Sequence, residues 1–334
     1  AGLHFGVSSH RAEHYFFLNV ARAIDSDVRD PKWAAFYGPA HVGVTDANNN
    51  HWQGGHPDPA YLDDWMARAA EMVGKYQPEI LWFDWWIETK EFEPYLQRLA
   101  AFYYNDAARR GSTAAINYKF DAFPPGAAVW DIERGQSEEI VPRFWQTDTS
   151  ISIKSWGYIK DDTFRSPESL VQQLVDIVSK NGALLLNVGP KSDGTIPEQA
   201  KNVLLAMGRW LSINGEAIYG TRPWKISGEG PTKVVGGSFN DTATKPYTSQ
   251  DVRFTTRDGV LYAIVLAWPR DGKISIQSLA RGSKVMESEV AAVQLLGTSD
   301  KLKWTRDNDG LKIELPAART GEYAWAFRIT PTGK

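Results

Sequence analysis

The sequence predicts a parallel α/β domain, either a doubly wound sheet or a (β/α) barrel, followed by an antiparallel β-sandwich. Three observations carry this expectation. Short apolar runs alternate with helical patterns up to about Trp224. Those runs are apolar on both faces, as strands are when helices cover both sides of a parallel sheet. After about Trp224 the texture changes to short strands broken by turn residues, the pattern of a sandwich. The domains are accordingly expected at 1–221 and 222–334.

Each element has its own reason. "AGLHFGV" (1–7) reads as a short buried strand. The stretch from there to about residue 58 is rich in His, Asn, Gly and Pro, and irregular segments of that length usually carry function. From Pro59 to Tyr76, Leu62, Trp65, Met66, Ala69, Met72, Val73 and Tyr76 recur on one helical face. "EILWFD" (79–84) reads as a buried strand, and 93–110 as a helix with Leu96, Leu99 and Tyr103 on one side. "AAINY" (114–118) and "AVWDIE" (128–133) read as further strands. In "RSPESLVQQLVDIVSKNG" (165–182), Ser166 can cap a helix, Pro167 suits its first turn, and Asn181-Gly182 can close it. "ALLLNV" (183–188) is a wholly apolar strand; 196–215 is a helix with Pro197 near its start and Gly215 at its stop. Beyond Trp224, "DVRFTTRDGVLYAIVLAWP" (251–269) reads as a hairpin about Asp258-Gly259. "KISIQSL", "LKWTRDNDGLKIELP" and "YAWAFRI" continue the alternation of strands and turns.

Composition excludes several functions. The 334 residues, 43% of them hydrophobic, are enough for a substantial core in one large domain or two ordinary ones. A net charge of −3 with no basic cluster argues against a nucleic-acid partner. The absence of cysteine excludes disulfides and thiol catalysis. No apolar run is long enough to span a membrane. All six histidines lie within the first 56 residues, and eleven of the 14 tryptophans lie at or before Trp224. Such rings often line sugar sites, although tryptophan is as readily core filler.

The chemistry centres on two acids. In "PEILWFDWWIE" (78–88), Asp84 ends a buried strand among Trp82, Phe83, Trp85 and Trp86. The carboxyl ends of parallel strands are where ligands bind, and rings solvate a carboxylate poorly; a helix-capping role is the plain alternative. Glu133 follows a second apolar run, with Asp131 on the same strand face and Arg134 beside it; an ion pair with Arg134 or an exposed loop charge competes with catalysis. Glu138 and Glu139 lie in a polar run that reads as solvated loop. Two carboxylates on different strands in an aromatic setting suit glycoside hydrolysis, where one acid protonates the leaving oxygen and the other attacks the anomeric carbon or activates water. No G-x-S-x-G elbow, P-loop or dinucleotide fingerprint occurs. His10 and His14 have a spacing that can chelate on a helix, but H-E-x-x-H is absent, so neither a metal nor a cofactor is expected.

The block "LVQQLVDIVSKNGALLLNVGPKSDGTIPEQ" (170–199) with "LSINGEAIYGTRPW" (211–224) resembles the α-L-fucosidases of glycoside hydrolase family twenty-nine. "ILWFDWW" resembles that family's nucleophile strand, and "WQTDTSISIKSWGYI" the segment lining its sugar pocket. The resemblance runs over about 1–224, and the C-terminal sandwich fits it too. It implies a (β/α) barrel enzyme that removes terminal α-linked L-fucose from fucosylated glycans with retention. Asp84 would be the nucleophile and Glu133 the acid/base. Trp82 would stand beside the nucleophile. Lys119 falls where relatives often carry an arginine on the sugar, and Trp156 would pack against the fucose methyl. His10 and His14 would lie on a loop facing the pocket. Gly189, Pro190 and Gly194 read as turn formers with no acid–base role. The alternatives are a non-catalytic fucose-binding protein and an α-L-galactosidase. Five strands before residue 190, against the eight of a closed barrel, lead us to expect N-terminal strands supplied by a further segment or another chain. No membrane partner is expected, and the expected compartment is the periplasm or the exterior ahead of the cytoplasm.

Overall fold

The computed structural model describes residues 6–9, 27, 30–33, 57, 59–85 and 87–332. The chain divides into two units, Ala1–Asp131 and Ile132–Lys334. In the first, β1 (Gly6–Ser9), α1 (Pro59–Tyr76), β2 (Ile80–Phe83), α2 (Glu93–Arg110), β3 (Ala115–Tyr118) and the start of β4 (Val129–Glu133) follow one another. β1 pairs with β2, β2 with β3 and β3 with β4, all parallel, with Gly6 opposite Ile80, Ile80 opposite Ala115 and Asn117 opposite Val129. A doubly wound sheet reverses its strand order at a switch point. Here four strands run in chain order without reversal, which selects the other alternative, part of a (β/α) barrel.

Strand alternation separates two faces. Leu81 and Phe83 of β2 and Ile116 and Tyr118 of β3 join Leu62, Trp65 and Val73 of α1 and Leu96, Leu99 and Tyr103 of α2 in one core. Trp82 and Asn117 point to the opposite face. The rings around Asp84 are thereby divided: Phe83 is 2% exposed and packs against Trp65 at 5.5 Å, on the helix side. Trp86 lies outside the described residues, as do the strand start at 1–5 and His10 and His14.

The second unit holds the end of β4, then β5 (Trp145–Ser150), α3 (Pro167–Ser179), β6 (Gly182–Asn187) and α4 (Glu198–Asn214). β5 pairs in parallel with β6, Trp145 opposite Gly182. The helix α3 begins as its sequence indicates, with the Ser166 hydroxyl accepting from Ser169 N at 3.1 Å. Its end differs from expectation. Asn181 takes the left-handed turn (φ 74°), while Gly182 already belongs to β6. A Cβ on Gly182 would stand 2.6 Å from the Trp145 ring, so glycine is there for close packing.

Two antiparallel sheets complete the unit. One is β11–β14–β9–β8–β7 and the other β10–β13–β12. The first five-stranded set comprises β7 (Arg222–Glu229), β8 (Val252–Arg257), β9 (Val260–Val265), β11 (Val290–Leu295) and β14 (Trp325–Pro331). The three-stranded set comprises β10 (Lys273–Ile276), β12 (Lys303–Asp307) and β13 (Gly310–Glu314). Asp258 and Gly259 turn β8 into β9 with φ of 50° and 75°, the paired positive angles of a type I′ hairpin. On β9, Leu261, Ala263 and Val265 face the three-stranded sheet, where they meet Ile274, Ile276, Leu311 and Ile313. Tyr262 and Ile264 face the other way, onto Leu170, Val171 and Val175 of α3 and Val203, Met207 and Trp210 of α4. The five-stranded sheet is therefore buried on both faces. Polar contacts fasten the helices to it: Trp210 Nε1 donates to Ala324 O at 2.7 Å, and Gln172 Nε2 to Leu266 O at 2.8 Å. Asp176, fully buried, pairs with Lys180 at 2.7 Å and Arg253 at 2.6 Å. Burial pushes the Lys180 ammonium down from its ordinary pKa, against the pull of Asp176.

Two strands depart from the sequence reading. β6 was expected to be buried on both faces, yet Leu185 is 47% exposed. β5 is a sixth parallel strand where five were counted. "WQTDTS" carries no apolar run, so hydrophobic patterning misses it. Its threonine hydroxyls are buried and hydrogen-bonded instead: the Thr147 hydroxyl sits 2.7 Å from Ile132 O and 2.8 Å from Gly135 O, and Thr149 Oγ1 donates to Asp241. Thr147→Val keeps the shape and removes the one buried hydroxyl donor that these two carbonyls share. It is expected to cost about 1–3 kcal/mol, read as a lower urea midpoint with an unchanged slope.

Candidate functional site

The first unit carries its candidate residues on the face away from the helices. Trp82 lies opposite Asn117, and Asn117 opposite Val129. Two residues further along each strand, this register brings Asp84, Lys119 and Asp131 level with one another. Asp84, just beyond β2, is half-buried. Lys119 and Asp131 are each 2% exposed. Lys119 Nζ lies 3.1 Å from Asp131 Oδ2, and the Trp82 indole N–H donates to the same oxygen at 2.6 Å. The ammonium also stands over the Trp82 ring, 5.0 Å from its centre. The other Asp131 oxygen, Oδ1, is buried and has no hydrogen-bond partner among the described residues.

The chemical logic follows from burial. An ammonium taken out of water needs a counter-charge and hydrogen bonds, and Asp131 gives the charge. The indole, held at its nitrogen and stacked against the ammonium, is fixed in position two residues before Asp84. Trp85, on the other side of Asp84 in sequence, packs edge-on against Phe120 at 4.2 Å. Asp84, half-buried, thus follows the fixed Trp82 by two residues, with Lys119 level with it just beyond the next strand.

The second unit presents Glu133, half-buried, at the end of β4. Arg134 follows in a left-handed conformation (φ 43°). Its N–H donates to Asp148 O, at 2.7 Å from that oxygen. Its guanidinium donates to Ser152 O at 2.9 Å and Ile153 O at 3.2 Å, and lies 4.8 Å from the centre of the Trp156 ring. Arg134 therefore ties the strand end that carries Glu133 to the segment that carries Trp156. Trp156 is 37% exposed, and its carbonyl accepts from Asn187 Nδ2 at 2.6 Å. Glu138 and Glu139 are exposed, as a solvated loop requires.

A loop from the sandwich side of this unit braces Glu133. Phe239 N donates to Glu133 O at 2.9 Å, Asp241 N to Arg134 O at 2.8 Å and Gly237 N to Gln136 O at 2.9 Å. A Cβ on Gly135 would meet Gly237 O at 2.1 Å, so the two backbones touch. Asp241 also lies 3.5 Å from Arg165 and 3.8 Å from Arg134. Burial pushes the Arg165 guanidinium down from its ordinary pKa, opposed by Asp241. Sequence reading overlooked this loop, and it treated Asp131 only as a neighbour of Glu133. Period-two alternation could have flagged Asp131 as a charge on the face of Asp84. Nothing in "GGSFND" could have shown which strand end it covers. Among the described residues, no group of three or more His, Cys, Asp or Glu is placed to hold a metal ion.

Comparison with known proteins bears on this arrangement. A family model described as alpha-L-fucosidase matches residues 1–216, and one described as alpha-L-fucosidase C-terminal domain matches 240–330. Tissue alpha-L-fucosidase of Rattus norvegicus is 29% identical over 276 residues, covering 79% of this chain and 54% of that protein. Plasma alpha-L-fucosidase of Homo sapiens is 31% identical over 281 residues, covering 78% of this chain and 54% of that protein. The crystal structure of Thermotoga maritima alpha-fucosidase in complex with fucose superposes with a TM-score of 0.64 at 29% identity, over 82% of this chain and 57% of that one. The chain thus spans little more than half the length of these relatives.

The buried pair yields a stability test. Asp131→Asn keeps an acceptor for the Trp82 indole but removes the buried charge that the Lys119 ammonium faces at 3.1 Å. The expected loss is about 3–5 kcal/mol, seen as an earlier thermal unfolding transition. Replacing both partners, as Lys119→Met with Asp131→Leu, is expected to return most of it.

Proposed function

We propose, from the premise that this chain belongs to the alpha-L-fucosidase family, that it carries the reacting carboxylates of a retaining exo-hydrolase for terminal α-linked L-fucose. The observation that supports this most is the placement of Asp84 at the carboxyl end of β2, level with the buried Lys119–Asp131 pair.

The reaction is a double displacement. Glu133, protonated, gives its proton to the glycosidic oxygen as the bond to the leaving group breaks. Asp84 attacks the anomeric carbon and forms a glycosyl-enzyme. Glu133, now a carboxylate, takes a proton from water, which attacks the same carbon and releases fucose of the original configuration. The Trp82 ring, fixed by Asp131, forms a rigid wall beside the nucleophile. Trp156, stacked on Arg134, would take the apolar methyl of the sugar. His10 and His14 would contact its hydroxyls.

The test is hydrolysis of an aryl α-L-fucoside by the chain as it stands. Asp84→Ala is expected to lower kcat on the order of 10⁴-fold. Glu133→Ala is expected to lower it by about 10²–10⁴-fold on a glycan substrate, and by less when the leaving group needs no proton. Proton NMR should show the α anomer of fucose formed first. A β anomer formed first would overturn retention. Fucose binding without turnover would favour a sugar-binding protein, and faster hydrolysis of the α-L-galactoside would favour that substrate.

A further inference from the structure

Arg134, directly after Glu133, holds a left-handed backbone (φ 43°), a region that residues with bulky side chains seldom occupy. Such a conformation persists only where its surroundings hold it, and it gathers at working sites. Both sides of Arg134 are held. Its N–H donates to Asp148 O at 2.7 Å, and its carbonyl accepts from Asp241 N at 2.8 Å. Without the second bond the residue is free to turn back to the right-handed region, which re-aims the strand end before it. The loop that supplies this bond is anchored by the Asp241 side chain. That carboxylate accepts from the Thr149 hydroxyl on β5 and lies 3.5 Å from the Arg165 guanidinium and 3.8 Å from that of Arg134. The Asp241 carbonyl also accepts from Arg165 Nη2 at 3.2 Å, and Arg165 Nη1 donates onward to Gln173 Oε1 at 2.7 Å. Asp241 is 8% exposed. Removing the charge from such a site leaves its guanidinium partners buried and uncompensated, so the loop and the turn after Glu133 stand or loosen with this one acid.

We propose that Asp241 is a positioning residue for proton transfer by Glu133, acting through Arg134 by clamping the strained turn that aims the acid. This rests on the reading of Glu133 as the acid/base. Asp241 touches no reacting atom in this reading. Its carboxylate fixes the loop, the loop amides fix the carbonyls of Glu133 and Arg134, and the Glu133 side chain takes its direction from them. Proton transfer needs the donor within hydrogen-bond reach of the glycosidic oxygen, and a misplacement of about 1 Å is costly. A leaving group that departs as a stable anion has no such need. Loss of the clamp therefore weighs on substrates according to how much their leaving oxygen depends on a proton.

The test compares Asp241→Asn with the parent on phenyl α-L-fucoside, whose leaving oxygen needs a proton, and dinitrophenyl α-L-fucoside, whose leaving group departs as an anion. In Asp241→Asn, kcat/KM on the phenyl substrate is expected to fall about 10–10²-fold further than on the dinitrophenyl substrate. A general loss of folded protein lowers both alike. Should Asp241→Asn fail to fold, Thr149→Val carries the test: it removes one donor from the carboxylate and keeps both arginines beside it. The same selective loss is expected there at smaller size, and Thr149→Ser, which keeps the hydroxyl, is expected to reverse it. Equal losses on both substrates, or none, would overturn the proposal. Should the unmodified chain hydrolyse neither fucoside, the hydrolase reading fails separately. Hydrogen exchange of the folded variant then reads the clamp: the Arg134 amide is expected to exchange about five- to tenfold faster while the amides of β9 keep their rates. An Arg134 amide with unchanged exchange overturns it.

Discussion

The first unit depends on one buried charge pair. Lys119 and Asp131 lie on strands that meet only because β3 and β4 pair in parallel, and their bond joins the two ends that this pairing leaves open. Asp131 also accepts from Trp82 on β2, so a single carboxylate oxygen spans three strands. Buried ion pairs add little net stability, because desolvation offsets attraction. Their value here is positional. Trp82 can occupy one orientation, and Asp84, two residues on, inherits it.

The second unit reaches a similar end by other means. Glu133 is held through its backbone, between Asp148 on one side and the 236–241 loop on the other, with Arg134 reaching forward to the Trp156 segment. The two candidate acids thus stand on differently built supports. One rests on side-chain electrostatics. The other rests on main-chain hydrogen bonds and close glycine contact, which are insensitive to charge.

Much of this was legible in the sequence, for reasons that differ by element. α1 and α2 announced themselves because their apolar residues repeat at helical spacing, and the bounds 59–76 and 93–110 follow. The β8–β9 hairpin was legible because Asp-Gly accepts two positive φ angles. β5 was not, since its burial is stabilised by hydroxyl groups rather than by apolar area. Nor was the sidedness of "WFDWW": composition suggested a full ring of aromatics about Asp84, whereas alternation sends Phe83 to the helix core. Long-range hydrogen bonds such as Phe239 to Glu133 join residues more than a hundred positions apart, and no local pattern encodes them.

The five-stranded sheet, covered by helices on one face and by the three-stranded sheet on the other, ties the fate of those layers together. α3 and α4 also share their core with Leu184 and Leu186 of β6, so they join the parallel strands to this sheet. Local opening of either covering layer bares the middle one. The sandwich is in that sense no appendage: its central sheet is a shared floor for the smaller sheet and for the helices that follow β5 and β6.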